Sequence, residues 1–395
     1  MAFTLDQKTT LPNDGFAGTL LGRAWLPRED GPAVVLVRED GVFDISRSAP
    51  TVSGLLNSGD PLATLRAVPR DRRLGSLAEL LANTPPEGRD AGKPYLLAPV
   101  DLQALKAAGV TFAQSLLERV VEEQSRGDPA RANEVRASLT AEIGTDLSTI
   151  KPGSPDAMKL KAALQKRNLW SQYLEVGIGP DVEIFTKSQP MAAVGTGFEI
   201  GLHPGSTWNN PEPEIVLVVN AAGAILGATL GNDVNLRDFE GRSALLLSKA
   251  KDNTGSCAIG PFIRLFDDSF TLDDVRKAVV ELRVTGTDNF VLDGSSSMKM
   301  ISRDPAEIVR QGIGKYNQYP DGFVIFLGTM FAPTKDRGEK GSGFTHKIGD
   351  IVTIATPRLG SLVNRVNTSD KVPPWRFGTL ALMQNLAKRG LLGTR

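Results

Sequence analysis

Cysteine and histidine are almost missing from this chain, at one and two among 395 residues. A single thiol excludes an internal disulfide and fits a reducing compartment. That thiol, Cys257, stands beside Ala258-Ile259, a setting for a packed side chain rather than a nucleophile. An excess of one charge is missing too. Forty-five basic residues balance 45 acidic ones with no long basic run, which argues against a nucleic-acid partner. No run reaches the ~18 apolar residues of a membrane span. The opening MAFTLDQKTT has no apolar signal core. The expectation is a cytoplasmic protein with no membrane and no nucleic-acid partner. GEKGSG and VGTG lack the strand, Gly-rich turn, Lys-Ser/Thr and helix order of a phosphate loop.

Glycine and proline are plentiful, at 40 and 25, and spread along the chain, which favours many short strands and turns. The length allows two domains. Residues 15 to 48 alternate apolar runs (TLLGRAWL, PAVVLV, GVFDIS) with turns and read as a small antiparallel meander. Thr51 to Leu56 and Leu74 to Leu81 read as short helices, and Pro85-Pro86 marks a boundary. A small N-terminal α+β domain is therefore expected over residues 1–95, with the main domain over 96–395.

Residues 111 to 125 read as a helix, because Phe112, Leu116 and Val120 recur at helical spacing. Glu118 and Glu122 are four apart and share a face. For Glu122 and Glu123 the expectation is a solvated acidic face. A charged helical insert follows near 126–165, as a lid or a subunit contact. From Leu174 onward the pattern is β-rich, with VEIFT, FEIGL, IVLVV, AILGATL, VELRV, FVIFL and IVTIAT as strand-like runs. SRDPAEIVRQG and the C-terminal ALMQNLAKRGLL read as helices.

The densest polar pattern lies between Trp208 and Arg237. Glu212 and Glu214 are two apart at the head of an apolar strand, so they share a face. A hairpin partner, Ile225 to Leu230, ends near Asp233 and can bring a third carboxylate beside them. Three convergent carboxylates call for a cation, and an oxygen-only set suits a hard divalent ion such as Mg²⁺. His203 and His346 lie in GLHPGS and GFTHKIGD, segments that read as loops rather than as catalytic sites.

Taken in order, these residues resemble the fumarylacetoacetate hydrolase superfamily. The family's Glu-x-Glu pair and its Asn-Asp-x-x-x-Arg-Asp segment read here as Glu212, Glu214, Asp233 and Arg237. Lys251 precedes Gly260-Pro261, Gly328-Thr329 matches a substrate-binding Gly-Thr, and KIGDIV and GSLVNRV match the closing motifs. The resemblance implies a mixed, antiparallel-rich β-roll catalytic domain. It implies Mg²⁺, with Mn²⁺ as the alternative, on Glu212, Glu214 and Asp233. Lys187 matches a family Lys that follows a Phe, and the resemblance gives it the substrate carboxylate or the end of a strand. Lys249 competes with Lys251, whose spacing to Gly260-Pro261 fits the family better.

One departure bears on the reaction. Hydrolases of this family carry a water-activating His three residues before a Glu, and here Ser115 stands before Glu118. A Ser hydroxyl is a poor base at neutral pH. With VTFAQSLLERVVEEQSRG and GTMFAPTKDRG, the chain is similar to the 2-keto-3-deoxy-pentonate dehydratase branch of non-phosphorylative pentose pathways. That implies a 2-keto-3-deoxy sugar acid as substrate and 2,5-dioxopentanoate as product. It implies Lys251 as base at C3, Glu118 as acid for the C4 hydroxyl, and Thr329, Arg237, Ser115 and Lys187 as substrate contacts. The roles of Lys251 and Glu118 are open to exchange. A homodimer or homotetramer is expected. The rivals are a 2,4-diketo acid hydrolase and a non-catalytic sugar-acid-binding protein.

Overall fold

The computed structural model describes residues 3–393 apart from 71, 144–149, 167, 169, 332, 334 and 339–342. Its centre is set by PEIVLVV. This strand, Pro213–Val219, is buried along its whole length. Ile215, Leu217 and Val219 enter one hydrophobic core, and Val216 and Val218 enter another. Alternate side chains thus face opposite sides, and both sides are covered, which explains a continuous apolar run. A tight turn returns the chain into Ile225–Asp233. There the Asn220 side chain accepts from the Ala222 and Ala224 N–H groups at 3.1 and 2.9 Å, and Gly223 takes φ +82°.

Further strands extend this hairpin on both sides. Ile225–Asp233 pairs antiparallel with Cys257–Leu265, and that strand pairs with Leu20–Leu26. On the other side come Phe323–Phe326, then Ala104–Gly109 in parallel, then Glu183–Ser188. Among the described residues this sheet has eleven strands, and a second sheet has five. Val280, Leu282, Ile354 and Leu362 of the second sheet share one core with Ile215, Leu217 and Leu230 of the first. The antiparallel-rich, mixed architecture expected from the sequence is present.

Residues 1 to 95 do not keep their strands to themselves. Leu20–Leu26, Gly31–Arg38, Gly41–Asp44 and Arg73–Gly75 extend the large sheet at one edge. The helix expected over Leu74 to Leu81 is a strand followed by a shorter helix, Leu77–Ala82. Ser76 and Glu79 cap each other's backbone, which fixes the helix start, and Gly75 at φ +155° lies outside helical space. In the insert, helices Pro129–Ile143 and Pro155–Lys166 pack Ala132, Ala157 and Leu164 against Val120 and Leu174. The part of the insert at 144–149 lies outside the described residues.

Helix Ala113–Ser125 lays Leu116, Val120 and Val121 on that same small core. Its opposite side faces the end of the large sheet, where the acidic residues are.

Gly231 pairs with both Glu214 and Ile259. A Cβ there would lie 2.2 Å from Phe326 Cε1 and 2.6 Å from Val216 Cγ2. Gly231→Ala is expected to lower stability by about 1–3 kcal/mol, the usual range for overpacking. Gly59→Ala, with nothing within 4 Å of its Cβ, should leave stability unchanged. Urea midpoints for the two variants check this, and equal midpoints would show that the hairpin relaxes freely.

Candidate active site

The strand ends of the large sheet converge on a narrow cavity of about 30 Å³. Ala108 and Gly109 come from one strand, and Glu183 and Phe185 from the next. Glu212, Glu214 and Asp233 come from the central hairpin, and Gly328 and Thr329 follow strand Phe323–Phe326. Ser115 and Arg119 reach in from helix Ala113–Ser125, Glu240 from Arg237–Arg242, and Lys251 from Leu247–Lys251. The cavity has room for a few small ligand atoms.

Glu212, Glu214 and Asp233 are all buried, and each offers an oxygen within 4.8 Å of the others'. The hairpin register makes this possible. Glu212 sits just before its strand but is still tied to it, since the Asp233 N–H donates to the Glu212 carbonyl at 3.1 Å. The Glu212 N–H in turn donates to Asn232 Oδ1 at 3.1 Å. Glu214 Oε2 accepts from the Gly328 N–H at 2.6 Å. Gly328 holds φ +86°, and a Cβ there would fall 2.1 Å from Thr111 Oγ1. Only glycine therefore presents that N–H without strain.

Burial, with the charges of Asp233 and Glu212, pushes the Glu214 carboxyl well above its ordinary range. Burial works on Asp233 in the same direction, but Lys187 and Lys251 outweigh it and hold that carboxyl below its ordinary range. Three buried oxygen donors with one carboxyl left uncompensated fit a hard divalent cation such as Mg²⁺ or Mn²⁺.

Two cations, Lys251 and Arg119, are built into the walls, and a third, Lys187, lies behind them. Lys251 Nζ lies 2.6 Å from Glu212 and 3.1 Å from Asp233. Burial lowers its pKa, but Asp233, Glu212 and Glu240 raise it further, so the net shift is upward. Lys187, fully buried, donates to the Val234 and Lys251 carbonyls at 3.0 and 2.6 Å and pairs with Asp233 at 2.7 Å. Those contacts account for the three donors of an ammonium, and Lys187 does not line the cavity. Its contacts support Asp233 and the Lys251 backbone near the end of strand Glu183–Ser188. Arg119 reaches Glu122 at 2.7 Å, Glu240 at 3.0 Å, and Glu212.

The other expected residues divide. Ser115 and Thr329 line the cavity; Ser115 Oγ donates to the Phe112 carbonyl at 3.0 Å, and Thr329 Oγ1 accepts from the Phe331 N–H at 3.1 Å. Arg237 and Glu118 are not among the lining residues. Arg237 pairs with Glu122 at 2.7 Å and Glu118 at 3.1 Å and stacks 4.3 Å from the Trp208 ring. The cation that shares Glu212 with Lys251 is Arg119. Lys249 is exposed and stands over Phe239. His346 Nδ1 lies 3.1 Å from Asp350 Oδ2, His203 Nδ1 accepts from the Gly205 N–H at 3.0 Å, and neither histidine lines the cavity.

Several site residues escaped the sequence. Glu122, expected on a solvated face, is buried between Arg119 and Arg237. Glu183 and Glu240 line the cavity, and burial is the main reason both carboxyls are pushed up, Glu240 to about 7. Ser115, Arg119 and Glu122 lie three or four residues apart on one helix, and that spacing was the available signal.

The family model described as fumarylacetoacetate (FAA) hydrolase C-terminal matches residues 175–367. A protein of Saccharolobus solfataricus named 2-dehydro-3-deoxy-D-arabinonate dehydratase is 34% identical over 193 residues, 48% of this chain and 60% of that protein. The match thus spans less than two thirds of that relative. A protein of Haloferax volcanii named "Probable 2-keto-3-deoxyxylonate dehydratase" is 29% identical over 208 residues, 53% of this chain and 68% of that protein. Among solved structures, a 2-keto-3-deoxy-D-arabinonate dehydratase complexed with magnesium and 2,5-dioxopentanoate superposes with a TM-score of 0.62. It is 21% identical, with 88% of this chain and 99% of that one covered, so the likeness is one of fold. Residues 175–367, just under half of the chain, are thus similar to the fumarylacetoacetate hydrolase C-terminal family.

Proposed function

We propose that the protein is a hydro-lyase that dehydrates 2-keto-3-deoxy-D-xylonate, the same compound as 2-keto-3-deoxy-D-arabinonate, to 2,5-dioxopentanoate with Mg²⁺. The observation that carries this reading is the buried Glu212, Glu214 and Asp233 triad with Lys251 against it in one cavity. The names of the two relatives and the ligands of the solved neighbour support the choice of substrate. Ser115 in place of a water-activating His supports elimination over C–C hydrolysis.

A divalent ion on the triad supplies Lewis-acid polarisation of a 2-keto oxygen, which acidifies the C3 protons. The rest of the work falls to the chain. Lys251 is the amine among the lining residues; its carboxylate neighbours favour its charged form, and an ion that took up Glu212 and Asp233 would remove that bias and let it take a C3 proton. Thr329 presents a hydroxyl to the substrate carboxylate. The C4 hydroxyl leaves as water with one proton from an acid. Loss of a C5 proton and return of one to C3 then give a 4-en-5-ol, which tautomerises to the aldehyde, so the balance is one water lost. Two carboxyls compete for the acid role. Glu118 is held by Arg237. Glu183 lines the cavity, and burial raises its carboxyl, the direction that suits a proton donor. The geometry favours Glu183, with Glu118 as the alternative.

Cytoplasmic location and a homodimer or homotetramer are part of the same proposal. Exposed Leu380, Met383 and Leu392 near the C-terminus support self-association. A monomer mass in light scattering would remove the oligomer.

Incubation with 2-keto-3-deoxy-D-xylonate and Mg²⁺ should yield 2,5-dioxopentanoate, and EDTA should stop the reaction until Mg²⁺ is restored. Pyruvate from a 2,4-diketo acid, with the deoxy acid left intact, would point to the hydrolase instead. Turnover of neither would leave a binding protein.

Glu214→Gln should weaken Mg²⁺ binding and turnover together. Metal-dependent turnover at the parent rate in that variant would take Glu214 out of the site.

The proton roles separate in deuterated solvent. Lys251→Met should abolish exchange of the C3 proton. Of Glu118→Gln and Glu183→Gln, the variant that exchanges C3 protons but forms no product marks the acid. Exchange at the parent rate in Lys251→Met would reduce Lys251 to a binding residue.

A further inference from the structure

Arg119 belongs to no motif that led to the site, yet it makes the densest set of charged contacts there. Its Nη1 lies 2.7 Å from Glu122 Oε2 and 3.0 Å from Glu240 Oε2. Its Nη2 donates to Oε1 of Glu212, one of the three metal-fitting carboxylates. The other oxygen of Glu212, Oε2, is held by Lys251. Both oxygens of this carboxylate thus already have cationic partners.

The charge balance of the cavity shows why. Glu183, Glu212, Glu214, Asp233 and Glu240 line it, against Arg119 and Lys251. Buried carboxylates without partners cost several kcal/mol each. A divalent ion on the triad would meet that need, and it would require an oxygen of Glu212. Lys251 also contacts Asp233 and is fixed from behind by Lys187, which holds its carbonyl. Arg119 stands on a helix on the far wall, and its fork has two other carboxylates to keep it. Both cations on Glu212 have another partner, but that of Lys251 is itself a triad carboxylate, whereas those of Arg119, Glu122 and Glu240, stand outside the triad.

We propose that Arg119 is an internal competitor of the metal: it holds Glu212 Oε1 while the triad lacks its ion, and it gives up that contact to Glu122 and Glu240 when the ion binds. Arg119 is then a positioning residue. It sets the metal affinity and ties loading of the triad to the position of helix Ala113–Ser125, which also carries Ser115 and Glu118. The inference rests on the metal-dependent reading above.

The test is Mn²⁺ binding to the full chain, read from the electron paramagnetic resonance signal of free Mn²⁺, for the parent, Arg119→Gln and Arg119→Lys. Arg119→Gln removes the competitor and should bind Mn²⁺ about tenfold more tightly, ~1.4 kcal/mol. Arg119→Lys keeps the charge but loses the fork that joins three carboxylates, so it should fall between the parent and Arg119→Gln. The gain should persist at high salt, since a buried contact is screened little while distant charge is screened strongly. Should Arg119→Gln fail to fold, the lysine variant alone still reads the effect. A parent that binds Mn²⁺, with foldable variants that bind it no more tightly or gain only at low salt, overturns the inference alone. A parent that binds no Mn²⁺ overturns the metal reading and this inference with it.

Discussion

The structure around the cavity depends on one constraint: negative charge taken out of water must be compensated locally. Glu212, Glu214 and Asp233 are nearly inaccessible to solvent. The chain meets the constraint with Lys187 and Lys251 on Asp233, and Lys251 and Arg119 on Glu212. Glu214 receives only the Gly328 N–H from this set, and burial with its acidic neighbours pushes its carboxyl well above the ordinary range. The uneven compensation marks where a further positive charge belongs.

The same constraint explains why so many elements meet there. A hairpin alone brings the three acids together, through the pairing of Pro213 with Asn232 and of the Asp233 N–H with Glu212. Their counter-charges come from elsewhere: Lys187 from a strand at the far side of the large sheet, Lys251 from a short helix, and Arg119 from the covering helix. A fault in the core would therefore reach the site as a misplaced charge. Val216 and Val218 pack on the face opposite Ile215 and Leu217, so the strand that carries Glu214 is fixed from both sides.

A second layer of charge lies behind the first. Glu122 takes Arg119 on one oxygen and Arg237 on the other, and Arg237 takes Glu118 and the Trp208 ring. This chain of contacts joins helix Ala113–Ser125 to helix Arg237–Arg242. Networks of this kind fix geometry more than they add stability. Here the network sets the angle at which Ser115 and Arg119 enter the cavity.

The sequence by itself determined the pieces with a short-range physical signature. PEIVLVV and AILGATL announced a buried hairpin by their unbroken apolar runs. Glu-x-Glu at its head, with Asp233 at the far end, announced three converging carboxylates, because strand periodicity and a tight turn leave little freedom. The ordered motifs from Glu212 to Val366 carried a resemblance to a known family and implied the antiparallel-rich fold. The tertiary structure decided what depends on which elements meet. Lys187 read as a substrate contact or a strand-end residue, and the fold buries it against Asp233, a residue of another strand of the same sheet. Glu122 looked solvated, since a helix with acids at every fourth residue is usually exposed on that face; helix Arg237–Arg242 packs over it and supplies Arg237. Glu183 and Glu240 carried no pattern, because side chains from elements far apart in sequence acquire a common role only when the chain has closed around the same few ångströms.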